Sequence, residues 1–285
     1  SRNQPEHLGG TFTEFVRVHA TPVPRAIVRR HIGPSRHAQP VGVQLMGNDL
    51  ERLAATARNA VAAGAPLVDL NFGCPAKGAI AGCAGSALLK DPAAVERVVR
   101  AVASAVSVPV TAKIRAGYDD ASRVEELARA AERGGAAMLT VHCRTRAEAY
   151  CPEVDWTRIA RAVSAVSIPV CGNGGVESHA DFERLRRETG ARLAMVGRGA
   201  LADPWIFSGR SVTRGEAARF LVDYADLMRE RNQWPGGGIA ARVKQLLRYW
   251  TAGGLVESEE HRLEWLREKD GAALLDRLRA LAAQA

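Results

Sequence analysis

The middle of the chain repeats one pattern of apolar and polar positions. Short β-branched or apolar runs end in polar residues or glycine, and an alanine-rich amphipathic stretch follows most of them. The predicted strands are Thr11–Val18, Val41–Met46, Leu67–Phe72, Val108–Ile114, Ala137–His142, Ile168–Gly172 and Leu193–Val196. The predicted helices between them are Leu50–Ala63, Asp91–Val106, Ala121–Gly134, Trp156–Val166 and His179–Thr189. Strands that alternate with helices predict a parallel sheet with right-handed crossovers.

This alternation favours a (β/α)8 TIM barrel over an open doubly wound sheet. No GxGxxG motif follows the first predicted strand, which argues against a Rossmann-type dinucleotide fold. The residues before Thr11 are polar and end in glycine, so they are not predicted as a strand. We therefore expect an α/β TIM barrel whose first strand is absent from this chain.

The predicted strands stop at about Ser208. Beyond it, helices are predicted over Ala217–Arg231, Ile239–Thr251 and Glu257–Ala283. The breaks between them are predicted at Trp234-Pro235-Gly236-Gly237-Gly238 and at Gly253-Gly254. We expect a TIM-barrel domain over residues 1–208 and a small helical domain over residues 209–285.

Composition and charge narrow the class of protein. A chain of 285 residues suits one barrel with a small appendage. The net charge of +8 favours a polyanionic partner, although a solvated arginine-rich surface gives the same balance. No apolar run approaches the length needed to span a bilayer, and Ser1–His7 lacks the apolar core of a signal peptide. A cytoplasmic protein without membrane contact is expected.

Five cysteines are present: Cys74, Cys83, Cys143, Cys151 and Cys171. Their number is odd and no pair has CxxC spacing, so neither a disulfide framework nor a zinc or other metal site is indicated. Cys74 lies between a glycine and a proline in a constrained loop, where a thiol can act as a general acid toward carbon. The alternative is a small buried apolar residue, and the other four cysteines are interpreted in that structural sense.

Polar residues end six predicted strands in succession, and in a barrel the catalytic groups lie at such ends. These strand-end residues are Gln44, Asn71, Cys74, Lys113, Arg115, His142, Arg144, Asn173, Gly174, Gly175, Gly197 and Arg198. Any one of them can be a turn former or a satisfied core residue. Their gathering at one rim predicts a functional pocket.

The residue types in this pocket suit a flavin mononucleotide. Lys113 and His142 offer positive charge and donors for the N1–O2 edge of a reduced flavin. The amide of Gln44 can pair with the amide-like edge of the ring. The glycine-rich segments 173–175 and 197–199 expose backbone N–H groups for a phosphate, to which Arg198 can add a charge-assisted contact.

These motifs together resemble the tRNA-dihydrouridine synthase family, from about Thr11 to Leu281. The resemblance is carried by Asp69–Lys77, Gly85–Pro92, Lys113–Asp120, Val141–Thr145 and Val196–Leu201. Its most specific element is Asn-x-Gly-Cys-Pro-x-Lys, which here is Asn71-Phe72-Gly73-Cys74-Pro75-Ala76-Lys77.

The resemblance implies a reaction and a set of roles. Cys74 would protonate C5 of an extruded uridine in tRNA after hydride reaches C6 from a flavin that NADPH reduces. The FMN would be lined by Gln44, Lys113, His142, Asn173, Gly174, Gly175, Gly197 and Arg198. Asn71 and Arg115 would hold the uridine. The helical tail would bind RNA, Arg17 resembles a tRNA-contacting arginine of the branch that modifies position 16, and a monomer is expected.

Three departures from the family pattern bear on these roles. The family's opening strand, which ends in Ala-Pro-Met-x-Gly and contacts FMN, is not seen. Cys143 stands where the family has the glycine of His-Gly-Arg-Thr, and the loop at residues 78–84 is poorer in glycine. Two other functions stay open, namely an FMN-dependent oxidoreductase of free dihydropyrimidines or dihydroorotate, and a tRNA-binding protein without flavin. A barrel for an unrelated phosphorylated substrate is the third alternative, which the Asn-x-Gly-Cys-Pro element disfavours.

Overall fold

The computed structural model describes residues 8–33, 39–230 and 238–284. The signal-peptide reading of residues 1–7 and most of the predicted break at residues 234–238 therefore lie outside the described residues. The chain forms two compact units, Ser1–Val176 with Ala180–Met195, and Glu177–His179 with Val196–Ala285. The predicted domain boundary at residues 208 and 209 stays a prediction.

The first unit is built on a parallel sheet of eight strands. They are β1 Thr11–Phe12, β2 Val16–Arg17, β3 Val41–Met46, β4 Val68–Phe72, β5 Val110–Arg115, β6 Met138–His142, β7 Val170–Asn173 and β8 Leu193–Met195. Their order follows the chain from β1 and β2, which both pair with β3, to β8. Within the described residues no pairing joins β8 to β1, so the sheet is a curled half-barrel with flanking helices. The prediction of a TIM-barrel-like fold is confirmed.

The predicted strand Thr11–Val18 is divided in the structure. Thr11 pairs with Val41, whereas Val16 pairs with Leu45. Between these two pairs the first segment has five steps along the chain and β3 has four. The extra residue interrupts the hydrogen-bond ladder, as a β-bulge does. The break between β1 and β2 follows from that mismatch.

Helices connect and flank the strands. They are α1 Arg25–Ile32, α2 Leu50–Ala62, α3 Lys77–Ala81, α4 Pro92–Ala103, α5 Val124–Arg133, α6 Thr157–Ala165 and α7 His179–Thr189. Asp49 and Asp91 accept hydrogen bonds from the first turns of α2 and α4, which fixes where those helices begin. The helix predicted from Ala121 begins only at Val124, because the Asp120 carboxylate accepts from the Ser122 backbone and forms a turn there.

The strands show why the sheet has a dry face. Alternate residues point to opposite sides of a strand, and one side carries a set of apolar residues that are at most 1% exposed. These residues are Val43, Leu45, Val68, Leu70, Phe72, Ala112, Ile114, Leu139 and Val141. Burial of this set beneath the helices stabilises the unit through the hydrophobic effect.

The second unit is helical. Its helices are α8 Gly199–Ala202, α9 Arg214–Glu230, α10 Gly238–Leu247, α11 Glu259–Arg267 and α12 Gly271–Ala282. Trp205, Phe220 and Trp250 form an aromatic cluster, with the rings of Trp205 and Phe220 5.3 Å apart. The single helix predicted over Glu257–Ala283 is two helices, since the Asp270 carboxylate caps a new one at Ala272. No described helix has the length and hydropathy to cross a membrane.

Candidate active site

The inner face of the sheet is polar across five strands. Cross-strand register places Asp69 between Gln44 on β3 and Thr111 on β5, and it places Asn71 beside Lys113. The same face continues on β5, β6 and β7 with Arg115, Thr140, His142, Cys171 and Asn173. Paired residues point to the same side, so these side chains share the face opposite the helices. The structure therefore brings six sequence-predicted site residues onto one surface, namely Gln44, Asn71, Lys113, Arg115, His142 and Asn173.

The loop that carries Cys74 is held by Asn71 at the end of β4. The side-chain oxygen of Asn71 accepts hydrogen bonds from the backbone N–H groups of Gly73 (2.9 Å) and Cys74 (3.0 Å). The same amide donates through Nδ2 to Oε1 of Gln44 at 2.6 Å. Asn71 thus serves as a turn former, and its predicted contact with the uridine stays a prediction.

Asp69 is a site residue that the sequence interpretation did not single out. It is 1% exposed, and its carboxylate accepts from Nε2 of Gln44 at 2.7 Å and from the Thr111 hydroxyl at 2.5 Å. Burial raises the pKa of Asp69, and its two hydrogen bonds and the nearby Lys113 oppose that rise. A carboxylate between two apolar residues of the strand, at the same face as Asn71, was the signal that could have found it.

Lys113 lies at the centre of the inner face. Its Nζ donates to Oδ1 of Asn173 at 3.0 Å, and Asn173 in turn donates to the carbonyl of Met195 at 2.8 Å. Burial lowers the pKa of Lys113 to about 8, and the negative charge of Asp69 works in the opposite direction. The ammonium is therefore charged at neutral pH but close to losing its proton.

His142 adopts one tautomer through its own loop. Its Nδ1 accepts the backbone N–H of Arg144 at 3.1 Å. While Nδ1 accepts this bond, Nε2 is the ring nitrogen left to donate. His142 accordingly offers a hydrogen-bond donor at Nε2.

Arg115 links two loops above the sheet. Its Nε donates to the carbonyl of Gly73 at 2.9 Å, and its Nη1 donates to the carbonyls of Thr145 and Ala149, both at 3.0 Å. The residue is 3% exposed, and its guanidinium lies 5.4 Å from the ring centre of Tyr150. Arg115 therefore joins the Cys74 loop to the loop after β6, and its predicted contact with the uridine stays a prediction.

The loop after β6 has its own ion pair. Glu148 accepts from Arg158 at 2.6 Å and from the backbone N–H of Thr145 at 2.8 Å. The hydrogen bond from Arg158 is the main cause that lowers the pKa of Glu148 to about 2. Arg158 also donates to the carbonyl of Cys143, so one guanidinium fixes both ends of the turn.

Gly174 and Gly175 follow β7 in backbone conformations that favour glycine. Their φ angles are +107° and +73°. A Cβ on Gly174 would lie 2.7 Å from Sγ of Cys143, which is fully buried. Cys143, the departure from the family's glycine, thus packs against a position that itself has no side chain, and burial raises the pKa of its thiol.

Two predicted ligands of the flavin belong to the second unit. The carbonyl of Gly197 accepts from Ala200, and the carbonyl of Arg198 accepts from Leu201 and Ala202 at the start of α8. A Cβ on Gly197 would meet nothing within 4 Å, so no contact in the structure requires glycine there. Their contacts with a cofactor stay predictions.

The segment after Cys74 is held from the side of β2 and β3. Arg17 donates to the carbonyl of Gly78 at 2.8 Å, and Asn48 donates to the carbonyl of Gly82 at 3.1 Å. These two bonds hold helix α3 and the turn that follows it. The predicted contact of Arg17 with tRNA stays a prediction, and the exposed Cys83 lies in this turn at a φ of +52°.

Comparison with known proteins gives a family. The sequence model described as "Dihydrouridine synthase (Dus)" matches residues 6–233. The chain is 42% identical over 205 residues to the tRNA-dihydrouridine(16) synthase of Cupriavidus necator, covering 69% of this chain and 64% of that protein. It is 44% identical over 184 residues to tRNA-dihydrouridine synthase B of Xanthomonas axonopodis, covering 64% and 53%. A probable tRNA-dihydrouridine synthase of Rickettsia conorii is 35% identical over 229 residues, covering 77% and 69%.

The matches to the first two of these relatives span between about half and two thirds of their lengths. Among solved structures, a mandelate oxidase crystal structure aligns with a TM-score of 0.44 and 20% identity, covering 68% of this chain and 58% of that one. The family match covers well over half of the chain and includes the strands, the Cys74 loop and the polar inner face. The chain belongs to the dihydrouridine synthase family.

Proposed function

We propose that this protein is a tRNA-dihydrouridine synthase that reduces the C5–C6 double bond of a uridine in tRNA, with FMN as cofactor and NADPH as reductant. The observation that carries the proposal is the Cys74 loop, which Asn71 and Arg115 hold beside a polar inner face with Lys113 at its centre. The family and the names of the relatives support the same reaction.

The residues of the inner face fit a flavin. Lys113 is a half-buried cation, and a flavin that becomes anionic on reduction at its N1–O2 edge needs positive charge there. His142 adds a hydrogen-bond donor at Nε2, and the Asn173 amide already lies within hydrogen-bond distance of Lys113. Gly174 and Gly175 turn the chain at the end of β7 with positive φ angles, where a Cβ would collide with Cys143 or Val154. Lys113, His142, Asn173 and the two glycines would hold the cofactor, with Gln44, Gly197 and Arg198 as further proposed contacts.

Bound FMN, once reduced by NADPH, supplies the hydride that goes to C6 of the uracil ring. The protein's part is to deliver a proton to C5, which we assign to the Sγ–H of Cys74. Transfer of one hydride and one proton saturates the double bond and leaves Cys74 as a thiolate, which water reprotonates. Arg115 fixes the loop in which the thiol lies through the carbonyl of Gly73.

Position 16 is the proposed target within the tRNA. One of the relatives is named tRNA-dihydrouridine(16) synthase, and another is named synthase B. Arg17 is the residue in this chain that we assign to that choice. A uridine in a folded tRNA must leave its stack to reach the inner face of a barrel, which is the energetic step of base extrusion.

The decisive experiment measures dihydrouridine by nucleoside mass spectrometry in unmodified tRNA incubated with the protein, FMN and NADPH. We expect new dihydrouridine, which sequence-resolved mapping should place at position 16. No product while flavin is bound would contradict the tRNA assignment, and free uracil and dihydroorotate would then be tested as substrates. No product together with no flavin binding would instead favour a flavin-less tRNA-binding protein.

A further inference from the structure

Three hydrogen bonds in series connect the buried Asp69 to the backbone of Cys74, and a fourth joins Asp69 to Thr111. Thr111 donates to Asp69, Gln44 donates to the other carboxylate oxygen, and Asn71 donates to the oxygen of the Gln44 amide. The Asn71 oxygen then accepts from the backbone N–H of Cys74. In each of the three bonds from Cys74 to Asp69 the donor lies on the Cys74 side and the acceptor on the Asp69 side, so the series runs in one direction.

The direction of the series is set at its two ends. A side-chain amide can rotate to exchange its oxygen and nitrogen, so neither Gln44 nor Asn71 fixes its own orientation. Asp69 as a carboxylate only accepts, which turns the nitrogen of Gln44 toward it. The amide oxygen of Gln44 then turns the nitrogen of Asn71 toward itself and leaves the Asn71 oxygen for the loop.

We propose that Asp69 is a positioning residue for Cys74, acting through the amides of Gln44 and Asn71. The inference deepens the proposed function, since it rests on Cys74 being the proton donor of that reaction. Asp69 does not touch the loop that it orients. It acts because a buried charge forms a stronger hydrogen bond than a neutral group and because each following amide has only one orientation that satisfies both of its neighbours.

The arrangement makes a prediction that a purely structural role of Asp69 would not make. If Asp69 acts on Cys74 through Gln44, its replacement must lose its effect once Gln44 has been removed from the series. Asp69→Asn keeps the shape but removes the charge and one acceptor, and Gln44→Met keeps the length but cannot form either hydrogen bond. Residues that act in series show such non-additivity in a double-mutant cycle.

The measurement is the rate at which iodoacetamide alkylates Cys74 in the purified protein without tRNA. Peptide mass spectrometry resolves Cys74 from Cys83, whose exposed thiol serves as an internal reference. We expect Gln44→Met and Asp69→Asn each to speed the alkylation of Cys74 by about threefold or more, because a loop with weaker hydrogen bonds opens more often. Adding Asp69→Asn to Gln44→Met should change the rate no further.

A matched pair of threonines provides the control. Thr111 and Thr140 are both buried on the inner face of neighbouring strands, but only Thr111 donates to Asp69. Thr140 instead pairs with Cys171 on β7, and no hydrogen bond among the described residues joins its hydroxyl to Asp69. Thr111→Val should therefore speed the alkylation of Cys74, and Thr140→Val should leave it unchanged. This pair also keeps the test possible if Asp69→Asn does not fold.

Two results would overturn the proposal. One is a Cys74 rate in folded Asp69→Asn and Thr111→Val equal to that of the wild type. The other is an Asp69→Asn effect that persists undiminished in the Gln44→Met background. Neither result depends on turnover, so wild-type protein that forms no dihydrouridine would refute the proposed function while the alkylation cycle still decides the role of Asp69.

Discussion

At the scale of single residues, two side chains divide the proposed chemistry. Cys74 lies in a loop whose backbone is hydrogen-bonded by the side chains of Asn71 and Arg115. Lys113 lies on the sheet and contacts Asn173. The two groups are on separate elements with separate hydrogen-bond partners. Their roles can therefore be removed one at a time.

The first prediction concerns Cys74→Ala. We expect it to retain reduction of bound flavin by NADPH and to lose uridine reduction by about a hundredfold or more, which is the usual contribution of a general acid. Stopped-flow flavin absorbance and nucleoside mass spectrometry measure the two half-reactions. Cys83→Ala, which changes an exposed thiol nearby in the chain, is the control. Equal loss of both half-reactions in Cys74→Ala would contradict proton donation.

The second prediction concerns pH and Lys113. Its pKa of about 8 means that the ammonium is charged below that pH and neutral above it. If the charge supports the reduced flavin, the rate of flavin reduction should fall as pH rises through about 8. In Asp69→Asn the fall should begin at lower pH, because the favourable charge of Asp69 is gone. A flat profile up to pH 9 or so would remove Lys113 from this role.

Sequence alone supplied much of the candidate site at this scale. Gln44, Lys113 and Asn173 were predicted from their places at strand ends, and strand register does bring them to one face. Asp69 was missed because a single sequence does not reveal that a buried carboxylate has hydrogen-bond partners on two other strands. The partners of Arg115 could not be predicted either, since they are backbone carbonyls of loops far away in the sequence.

At the scale of elements, the turn after α3 illustrates how tightly the Cys74 loop is packed. Gly85 has a φ of +59°, and a Cβ there would lie 3.0 Å from the carbonyl oxygen and 3.1 Å from Cβ of Cys74. The backbone N–H of Ser86 donates to that same carbonyl at 3.1 Å. The Gly85–Lys90 segment therefore packs directly against the Cys74 backbone, and glycine is the residue that permits this close approach.

The third prediction is that Gly85→Ala destabilises the protein by about 1–3 kcal/mol, through backbone strain and the contact with Cys74. Chemical denaturation measures the free energy of unfolding. Gly190→Ala is the matched control, because Gly190 has a similar φ of +70° but a Cβ there would make only an ordinary contact, 3.6 Å from Cγ1 of Val163. It should cost strain alone, so equal losses in both variants would show that packing against Cys74 contributes nothing.

The elements were predicted well where periodicity was strong. The predicted strands from Val41 onward, and the five helices predicted between strands, match the structure to within a few residues at their ends. The division of Thr11–Val18 could not be foreseen, because it depends on the register against β3. Helix α1 was not predicted, since its arginine-rich sequence buries only Val28 and gives little apolar pattern.

At the scale of the whole molecule, charge is the property that bears on the partner. The chain has a net charge of +8, and the region after residue 208 carries basic and acidic groups in nearly equal number. A polyanion would therefore be bound by folded surfaces rather than by a basic tail.

The fold class was predictable because strand–helix alternation allows few topologies.

The fourth prediction is that binding of unmodified tRNA depends strongly on salt. Each phosphate contact releases counterions, so the affinity should fall by about tenfold or more between roughly 50 mM and 200 mM salt. Fluorescence anisotropy with labelled tRNA measures it, and a DNA hairpin of equal length reports the non-specific part. An affinity that does not change with salt would contradict a phosphate-dominated interface.

The hydrogen bond between Trp156 and Gly174 gives the first unit an optical probe. The indole Nε1 donates to the carbonyl of Gly174 at 2.8 Å, and the side chain is 8% exposed. Flavin absorbs where tryptophan emits, so a flavin held at Gly174 should quench Trp156 by energy transfer. The part of the fluorescence that the wild type loses on titration with FMN, and that Trp156→Phe does not lose, would come from Trp156. Its dependence on FMN concentration would give the dissociation constant without turnover or RNA.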